Sequence, residues 1–206
     1  MRVTSFFAVG HVVWVGTAIL MFQVTHRQQR PCPAAGEGRV RLSEDSVAYL
    51  PVRAPLAKLL KLCPQAIETP VVSVDLHRHA GLRFVLGAVT AHAVQQRPEL
   101  DLSEPPSYWL VEGHGWELPS GVTSGTTWSE LQSQYGEAYG STELGALLVA
   151  FCRFPWLMII LDVQAQVVGS PEVSHDLSRV PSDAGIRVVE IGAGPRLSTG
   201  YLCGRQ

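Results

Sequence analysis

The chain has 206 residues, of which 46% are hydrophobic and 17% are charged, and its formal net charge is −2. This share of apolar side chains is enough to build a packed core, which excludes a wholly disordered chain. A net charge of −2 provides no basic field to hold a phosphate backbone, so we expect no nucleic-acid partner.

The first predicted element is an apolar segment, residues 5 to 24, that contains no formally charged side chain. About 20 apolar residues are long enough to cross a bilayer as an α-helix. A cleaved signal peptide has a shorter apolar core that ends at a small-residue site, and this segment offers no good site of that kind. We interpret residues 1 to 25 as a transmembrane anchor or signal segment. An uncleaved single-pass helix in contact with the lipid bilayer is preferred, with a cleaved signal and a buried soluble helix as alternatives.

Residues 26 to 41, HRQQRPCPAAGEGRVR, are rich in proline, glycine and polar residues and have no periodicity, which predicts a linker. No cysteine lies in a C-x-x-C pair, so a zinc site is poorly supported. An even number of cysteines behind a secretory-type segment permits a disulfide framework, while buried reduced cysteine is the alternative at Cys63 and Cys152. The pairing stays open among Cys32, Cys63, Cys152 and Cys203.

An internal repeat organises the rest of the chain. Residues 55 to 64, PLAKLLKLCP, align with residues 127 to 136, TWSELQSQYG, and both have apolar residues at helical spacing. Thr127 and Glu130 form a capping-box pattern at the start of the second helix, and Gly136 is placed to end it. The repeat therefore predicts that each unit opens with a short amphipathic helix.

Strands are predicted after each helix by two further alignments in the same order. Residues 71 to 86 align with 146 to 161, as two strands around a turn, HRHAG or CRFPW, and residues 107 to 115 align with 185 to 193. The predicted fold class is α+β, with an N-terminal transmembrane helix followed by two tandem helix-plus-antiparallel-sheet units. The first unit covers residues 42 to 120 and the second covers residues 121 to 206. The two units could share one sheet or pack face to face.

The start of the second unit, GVTSGTTWSELQSQYGEAY at residues 121 to 139, resembles the opening of the SmpA/BamE-type small envelope domains. The tandem arrangement is also similar to that of the beta-lactamase inhibitory proteins. The usual proline after the terminating glycine is missing, because Glu137 and Ala138 stand there. The resemblance implies an extracytoplasmic scaffold that binds other proteins, and it carries over no catalytic residue. The matching positions are Gly125, Thr126, Glu130, Leu131 and Gly136.

Residues 188 to 200, VVEIGAGPRLSTG, resemble the nucleotide-binding loop of the S-adenosylmethionine methyltransferases, in which an apolar strand and an acidic residue precede a glycine-rich turn. A site of this kind needs a helix and a second strand after the turn. Only residues 195 to 206 remain, and Gly200 and Gly204 interrupt them. We therefore interpret this stretch as the closing strand of the second unit.

Two groups of side chains are candidates for a site. His77 and His79 would share one face of a strand, as two metal ligands can, but no third ligand is evident, so a solvated turn is the preferred interpretation. Tyr108, Trp109 and Trp116 cluster near the end of the first unit. On an outer sheet face they would form a protein-binding surface, although core packing is the more common role of aromatic residues. We predict no catalytic residue, no metal and no cofactor.

Together these features predict a membrane-anchored extracytoplasmic protein of the cell envelope that binds or scaffolds other proteins without catalysis. Its expected partners are the bilayer, through the N-terminal helix, and an envelope protein. The first alternative is an S-adenosylmethionine-dependent methyltransferase-like enzyme that uses residues 188 to 200. The second is a structural accessory of the bilayer that has no specific partner.

Overall fold

The computed structural model describes residues 32, 38–72, 78–143, 146–163 and 177–192. Strands dominate this part of the chain, and both of its helices are short. The elements in chain order are β1 (Val40–Arg41), β2 (Ser46–Val47), β3 (Leu50–Pro51), α1 (Leu56–Leu62), β4 (Ile67–Val72), β5 (Arg78–Leu86), β6 (Val89–Gln95), β7 (Tyr108–Gly113), β8 (Trp116–Glu117), α2 (Trp128–Tyr135), β9 (Ala138–Glu143), β10 (Ala146–Phe151), β11 (Phe154–Leu161) and β12 (Ile186–Ile191).

Eight of the strands form one continuous antiparallel sheet in the order β4-β5-β6-β7-β12-β11-β10-β9. Within each half of this sheet, strands that are consecutive in the chain lie next to each other. The two halves meet where β7 pairs with β12, and each half is preceded by one helix. The strand order is therefore symmetric about the β7–β12 pair.

The predicted α+β fold class is wrong, because the described residues form a mostly β structure with one large sheet. The predicted units at residues 42–120 and 121–206 do not have separate sheets. Backbone pairing between β7 and β12, from Val188↔Glu112 to Ile191↔Trp109, joins their strands edge to edge.

No helix among the described residues is long and apolar enough to cross a bilayer. The described residues therefore do not contain the predicted transmembrane helix or signal-anchor. The segment to which that description applied, residues 1–25, lies outside the described residues.

The structure also corrects the middle of the repeat. By their order in the two halves, β5 corresponds to β10 and β6 to β11, whereas the sequence alignment set β5 beside β11. The predicted turn at HRHAG is wrong, since His79 and Gly81 lie within β5. The strands share the same apolar alternation, so displacing the alignment by one whole strand leaves the hydrophobic pattern intact.

The capping box predicted at the start of α2 is confirmed. The Thr127 backbone N–H donates to the Glu130 carboxylate at 2.8 Å, and the Glu130 N–H donates to the Thr127 hydroxyl at 3.4 Å. The hydrogen bonds that the Thr127 N–H and the Thr127 hydroxyl donate to the carboxylate lower the pKa of Glu130. Gly136 caps the other end with φ 75°, a conformation that favours glycine, as predicted. The helix thus begins and ends at residues whose local chemistry fixes its length.

The main core lies between both helices and one side of the sheet, which we call the first face. Trp109 of β7 is fully buried there, and its indole N–H donates to the Val52 carbonyl at 3.1 Å. Its ring centroid lies 5.4 Å from that of Phe84, and the rings of Tyr135 and Phe151 are 5.0 Å apart. Complete burial of a large apolar side chain contributes about 1.5 to 3 kcal/mol, so these rings are principal sources of stability.

A disulfide joins Cys32 to Cys63, with 5.2 Å between the two Cα atoms. Cys32 is buried, and its N–H donates to the Val85 carbonyl at 2.9 Å. The predicted linker, residues 26–41, thus contains at least one residue that belongs to the folded core. Cys152 is also in a disulfide, so the reduced alternative is wrong at both Cys63 and Cys152.

A pair of glycines tests the geometry at the end of β7. Gly113 and Gly115 have similar positive φ angles, 92° and 88°. A Cβ added at Gly113 would lie 2.5 Å from the Ala88 carbonyl oxygen, whereas a Cβ added at Gly115 would have no atom within 4 Å. Gly115→Ala should cost about 1 to 2 kcal/mol of unfolding free energy through backbone strain. Gly113→Ala should cost about 1 to 3 kcal/mol more, because it adds a steric clash. Urea unfolding measures both, and equal losses would contradict the close approach of β7 to Ala88.

Candidate functional site

The side of the sheet away from the helices, which we call the second face, contains the candidate site. Residues that lie directly opposite each other on paired strands point to the same face. One register row therefore crosses all eight strands on the second face, and its order is Ile67, Arg83, His92, Leu110, Glu190, Met158, Ala150 and Tyr139.

One part of the second face, on β10 to β12, is a compact apolar cluster. Its side chains are between 1% and 8% exposed. All members of the cluster are themselves strand residues, so the described part of the chain supplies no second layer above them. We call this part the apolar half, and it consists of Leu148, Ala150, Met158, Ile160 and Val188.

A second part, on β5 to β7, is more accessible and chemically mixed. Five of its side chains are half-buried, and Glu112 is exposed. They stand in two register rows across three strands, so the part measures about 10 Å by 7 Å between Cα positions. We call it the open patch, and it consists of Arg83, Val85, Thr90, His92, Leu110 and Glu112.

His92 is the titratable group at the centre of the open patch. It lies directly opposite Arg83 on β5 and Leu110 on β7. Burial, together with the positive charge of Arg83, lowers the pKa of His92 from 6.5 to about 4. Its buried Nδ1 atom has no hydrogen-bond partner among the described residues. His92 is therefore neutral at neutral pH and presents an uncharged ring.

Glu190, the acidic residue of the methyltransferase-like stretch, is 6% exposed and lies opposite Leu110 and Met158. Its strand, β12, is antiparallel to both neighbouring strands. Nucleotide-binding loops of the doubly wound type follow a strand of a parallel sheet instead. The second half of the stretch, residues 193–200, lies outside the described residues.

Arg83 and Glu190 on the second face lie too far apart to form a direct pair. Arg83 and Glu190 are separated by three strand spacings, or about 14 Å between Cα atoms. No group of three metal-ligating side chains occurs among the described residues.

The structure buries all three aromatic residues predicted as a protein-binding site. Trp109 is 0% and Trp116 is 1% exposed in the core of the first face, whereas Tyr108, at 4%, belongs to a small cluster on the second face. The three residues therefore do not form one exposed surface, and Trp109 and Trp116 pack the core.

The histidine pair is also placed differently from the expectation. His79 is 8% exposed within β5, so it does not lie in a solvated turn. Its predicted companion, His77, lies outside the described residues. The open patch was missed because its signal is weak. Along β5 and β6, buried apolar residues alternate with the half-buried Arg83, Val85, Thr90 and His92. This pattern is typical of a sheet with one partly exposed face and does not indicate a function.

Comparisons with known proteins add little to this geometry. No protein-family model matches the chain, and no curated protein matches it. A solved structure, that of the uncharacterized protein yfeY from Escherichia coli, is similar over 75% of this chain and 99% of that chain. The sequence identity is 14% and the TM-score is 0.47, values too low to support a conclusion about fold or function.

Lowering the pH should destabilise the protein because His92 is buried. The folded-state pKa of about 4 lies below the ordinary value of 6.5. The unfolded chain therefore takes up the proton first, and the contribution of neutral His92 to stability is lost as the pH falls from about 6.5 towards 4. Between pH 7 and about pH 4.5 this loss should be about 2 to 3 kcal/mol.

Urea unfolding of the wild type and of His92→Gln at the two pH values measures this loss. The unfolding free energy of the wild type should fall by about 2 to 3 kcal/mol more than that of the variant. His114→Gln, at an exposed position, is the matched control and should behave as the wild type. Identical pH dependence of the wild type and His92→Gln would refute the assignment.

Proposed function

We propose that the protein is an extracytoplasmic component of the cell envelope that binds another protein without catalysis, and that the open patch is the contact surface. The observation that carries the proposal is the accessible, chemically mixed strip of the sheet formed by the open patch, in a fold that contains disulfides. The predicted contact with a bilayer depends on residues outside the described part of the chain and does not enter the proposal.

The disulfides support an extracytoplasmic location. Cys32 is bonded to Cys63, and Cys152 is in a disulfide as well. Disulfides persist in oxidising compartments such as the periplasm or the cell exterior and are rare in the cytosol. A fold with its described cysteines oxidised therefore matches a protein that acts outside the cytoplasm.

The composition of the open patch supports protein binding. Val85 and Leu110 offer apolar contact area, Thr90 offers a hydroxyl, and Glu112 offers an exposed carboxylate. Interfaces typically combine an apolar centre with a polar rim. A standard interface buries about 800 Å² on each partner, which is far more than this patch. We therefore expect a modest contact with a partner segment that brings an apolar side chain to Leu110 and a basic group to Glu112.

The resemblance to SmpA/BamE-type domains supports the same class of function, although it rests on residues with structural roles. Glu130 caps α2, Leu131 is fully buried, and Gly136 ends the helix. Thr126 accepts a hydrogen bond from the Thr123 N–H at 2.9 Å. These positions shape a turn and a helix, so they suggest a related building block and do not identify a partner.

Site-specific photo-crosslinking in the producing cell tests the proposal. A photoreactive residue at Thr90 should yield one discrete heteromeric product, because Thr90 lies between Val85 and Glu112 in the open patch. The same residue at Glu99, in an exposed turn, is the matched control. Glu112→Arg in the Thr90 crosslinker should lower the yield about tenfold, because the carboxylate pairs with a basic group of the partner in our proposal.

Equal products from positions 90 and 99, or no product at position 90, would refute the open patch as the contact surface. Calorimetry with S-adenosylmethionine addresses the alternative function. We expect no binding. Binding by the wild type with a dissociation constant below about 1 mM, together with weaker binding by Glu190→Ala, would refute our proposal and support a cofactor-binding protein.

A further inference from the structure

The connection between β6 and β7, residues 96–107, crosses the beginning of α1, and we call it the strap. The N–H groups of Leu56 and Ala57 donate to the strap carbonyls of Glu104 at 3.0 Å and Leu102 at 2.9 Å. The first N–H groups of a helix have no acceptor within the helix, so they need acceptors from elsewhere. The strap therefore supplies the N-terminal cap of α1.

The sequence of α1 provides no cap of its own. Pro55 stands at the N-cap without a side-chain hydrogen bond, and the first turn contains no acidic residue. A helix of 7 residues is also too short to be stable in isolation. Helix α2, by contrast, has the capping box of Thr127 and Glu130. The N-terminus of α1 thus depends on a segment that lies far from it in the chain.

Gln95, the last residue of β6, holds the strap in place and is 1% exposed. Its Nε2 donates to the carbonyls of Asp101 at 2.9 Å, Glu104 at 3.3 Å and Pro105 at 3.3 Å. Its Oε1 accepts from the Asp101 N–H at 2.8 Å. One buried amide therefore positions several backbone groups of the strap, including the Glu104 carbonyl that caps α1.

Helix α2 receives equivalent backbone contacts in the other half of the sheet. The N–H groups of Trp128 and Ser129 donate to the carbonyls of Ala184 at 2.9 Å and Ser182 at 3.0 Å. Both acceptors precede β12, just as the strap precedes β7. Because α2 also has its own capping box, its first amides provide an internal control for those of α1.

We propose that the strap and α1 form a conformational device that opens as one unit while the eight-stranded sheet stays folded, and that Gln95 holds this device closed. Proteins open locally in cooperative units that share their contacts. Leu56 and Leu59 are 0% exposed on the buried side of α1, so opening would uncover an apolar surface of the first face. The inference is independent of the proposed function, because the open patch lies on the second face.

Hydrogen exchange of backbone amides in the full-length protein, followed by NMR, tests the proposal. In the wild type, the amides of Leu56, Ala57 and Asp101 should share one opening free energy and should exchange faster than the amides of β7. Gln95→Ala should accelerate exchange at Leu56 and Ala57 about tenfold, because the strap loses its buried anchor. Gln95 makes no hydrogen bond to either of these two amides, so the acceleration reports an effect through the strap.

Gln96→Ala is the matched control, because Gln96 is the exposed neighbour of Gln95, and it should leave these exchange rates unchanged. The amides of Trp128 and Ser129 should keep their wild-type rates in Gln95→Ala. Unchanged exchange at Leu56 in a folded Gln95→Ala variant would overturn the proposal, and so would equal acceleration at Trp128.

A second variant decides the question if Gln95→Ala does not fold. The Asp101 carboxylate accepts from the Ser103 N–H at 3.0 Å and from the Ser103 hydroxyl at 2.6 Å, on the exposed side of the strap. Asp101→Ala should accelerate exchange at Leu56 and Ala57 about threefold. Wild-type rates at both amides in this variant would contradict a single unit of strap and helix.

Discussion

The pairing of β7 with β12 is the interaction on which the rest of the structure depends. Four residue pairs, from Val188↔Glu112 to Ile191↔Trp109, join two four-stranded meanders into one sheet. Without this pairing each half would have an additional unpaired edge and only one short helix to cover its first face. With it, Trp109, Val111 and Val189 lie side by side in a core shared by both halves. The same junction also creates the continuous second face, which holds the open patch and the apolar half.

Local features of the fold could be predicted from the sequence, because they depend on residues close together in the chain. The capping box at Thr127 and Glu130 and the terminating Gly136 fix α2 through contacts within one or two turns. The pairing of β7 with β12 joins residues far apart in the chain, and alternating apolar residues do not specify a partner strand. The predicted α+β class is therefore wrong, and the predicted repeat alignment is displaced by one strand.

The candidate site was harder to predict than the fold. The sequence has an aromatic cluster at Tyr108, Trp109 and Trp116, but the folded protein buries all three of these large side chains. The open patch contains ordinary residues, and it becomes visible only when the register of three strands places Arg83, His92 and Leu110 in one row. Its special property, a histidine kept neutral by burial and by a neighbouring guanidinium, has no signature in the sequence.

Hydrogen exchange of the backbone amides tests most directly whether β7 and β12 hold the protein together. If the sheet unfolds as one unit around their pairing, the amides of β7 and β12 should exchange slowest, with a free energy equal to that of global unfolding. The amides of the edge strands β4 and β9 should exchange faster. Exchange of β7 and β12 as fast as that of the edges, or two separate unfolding transitions for the two halves, would contradict a single sheet held at this junction.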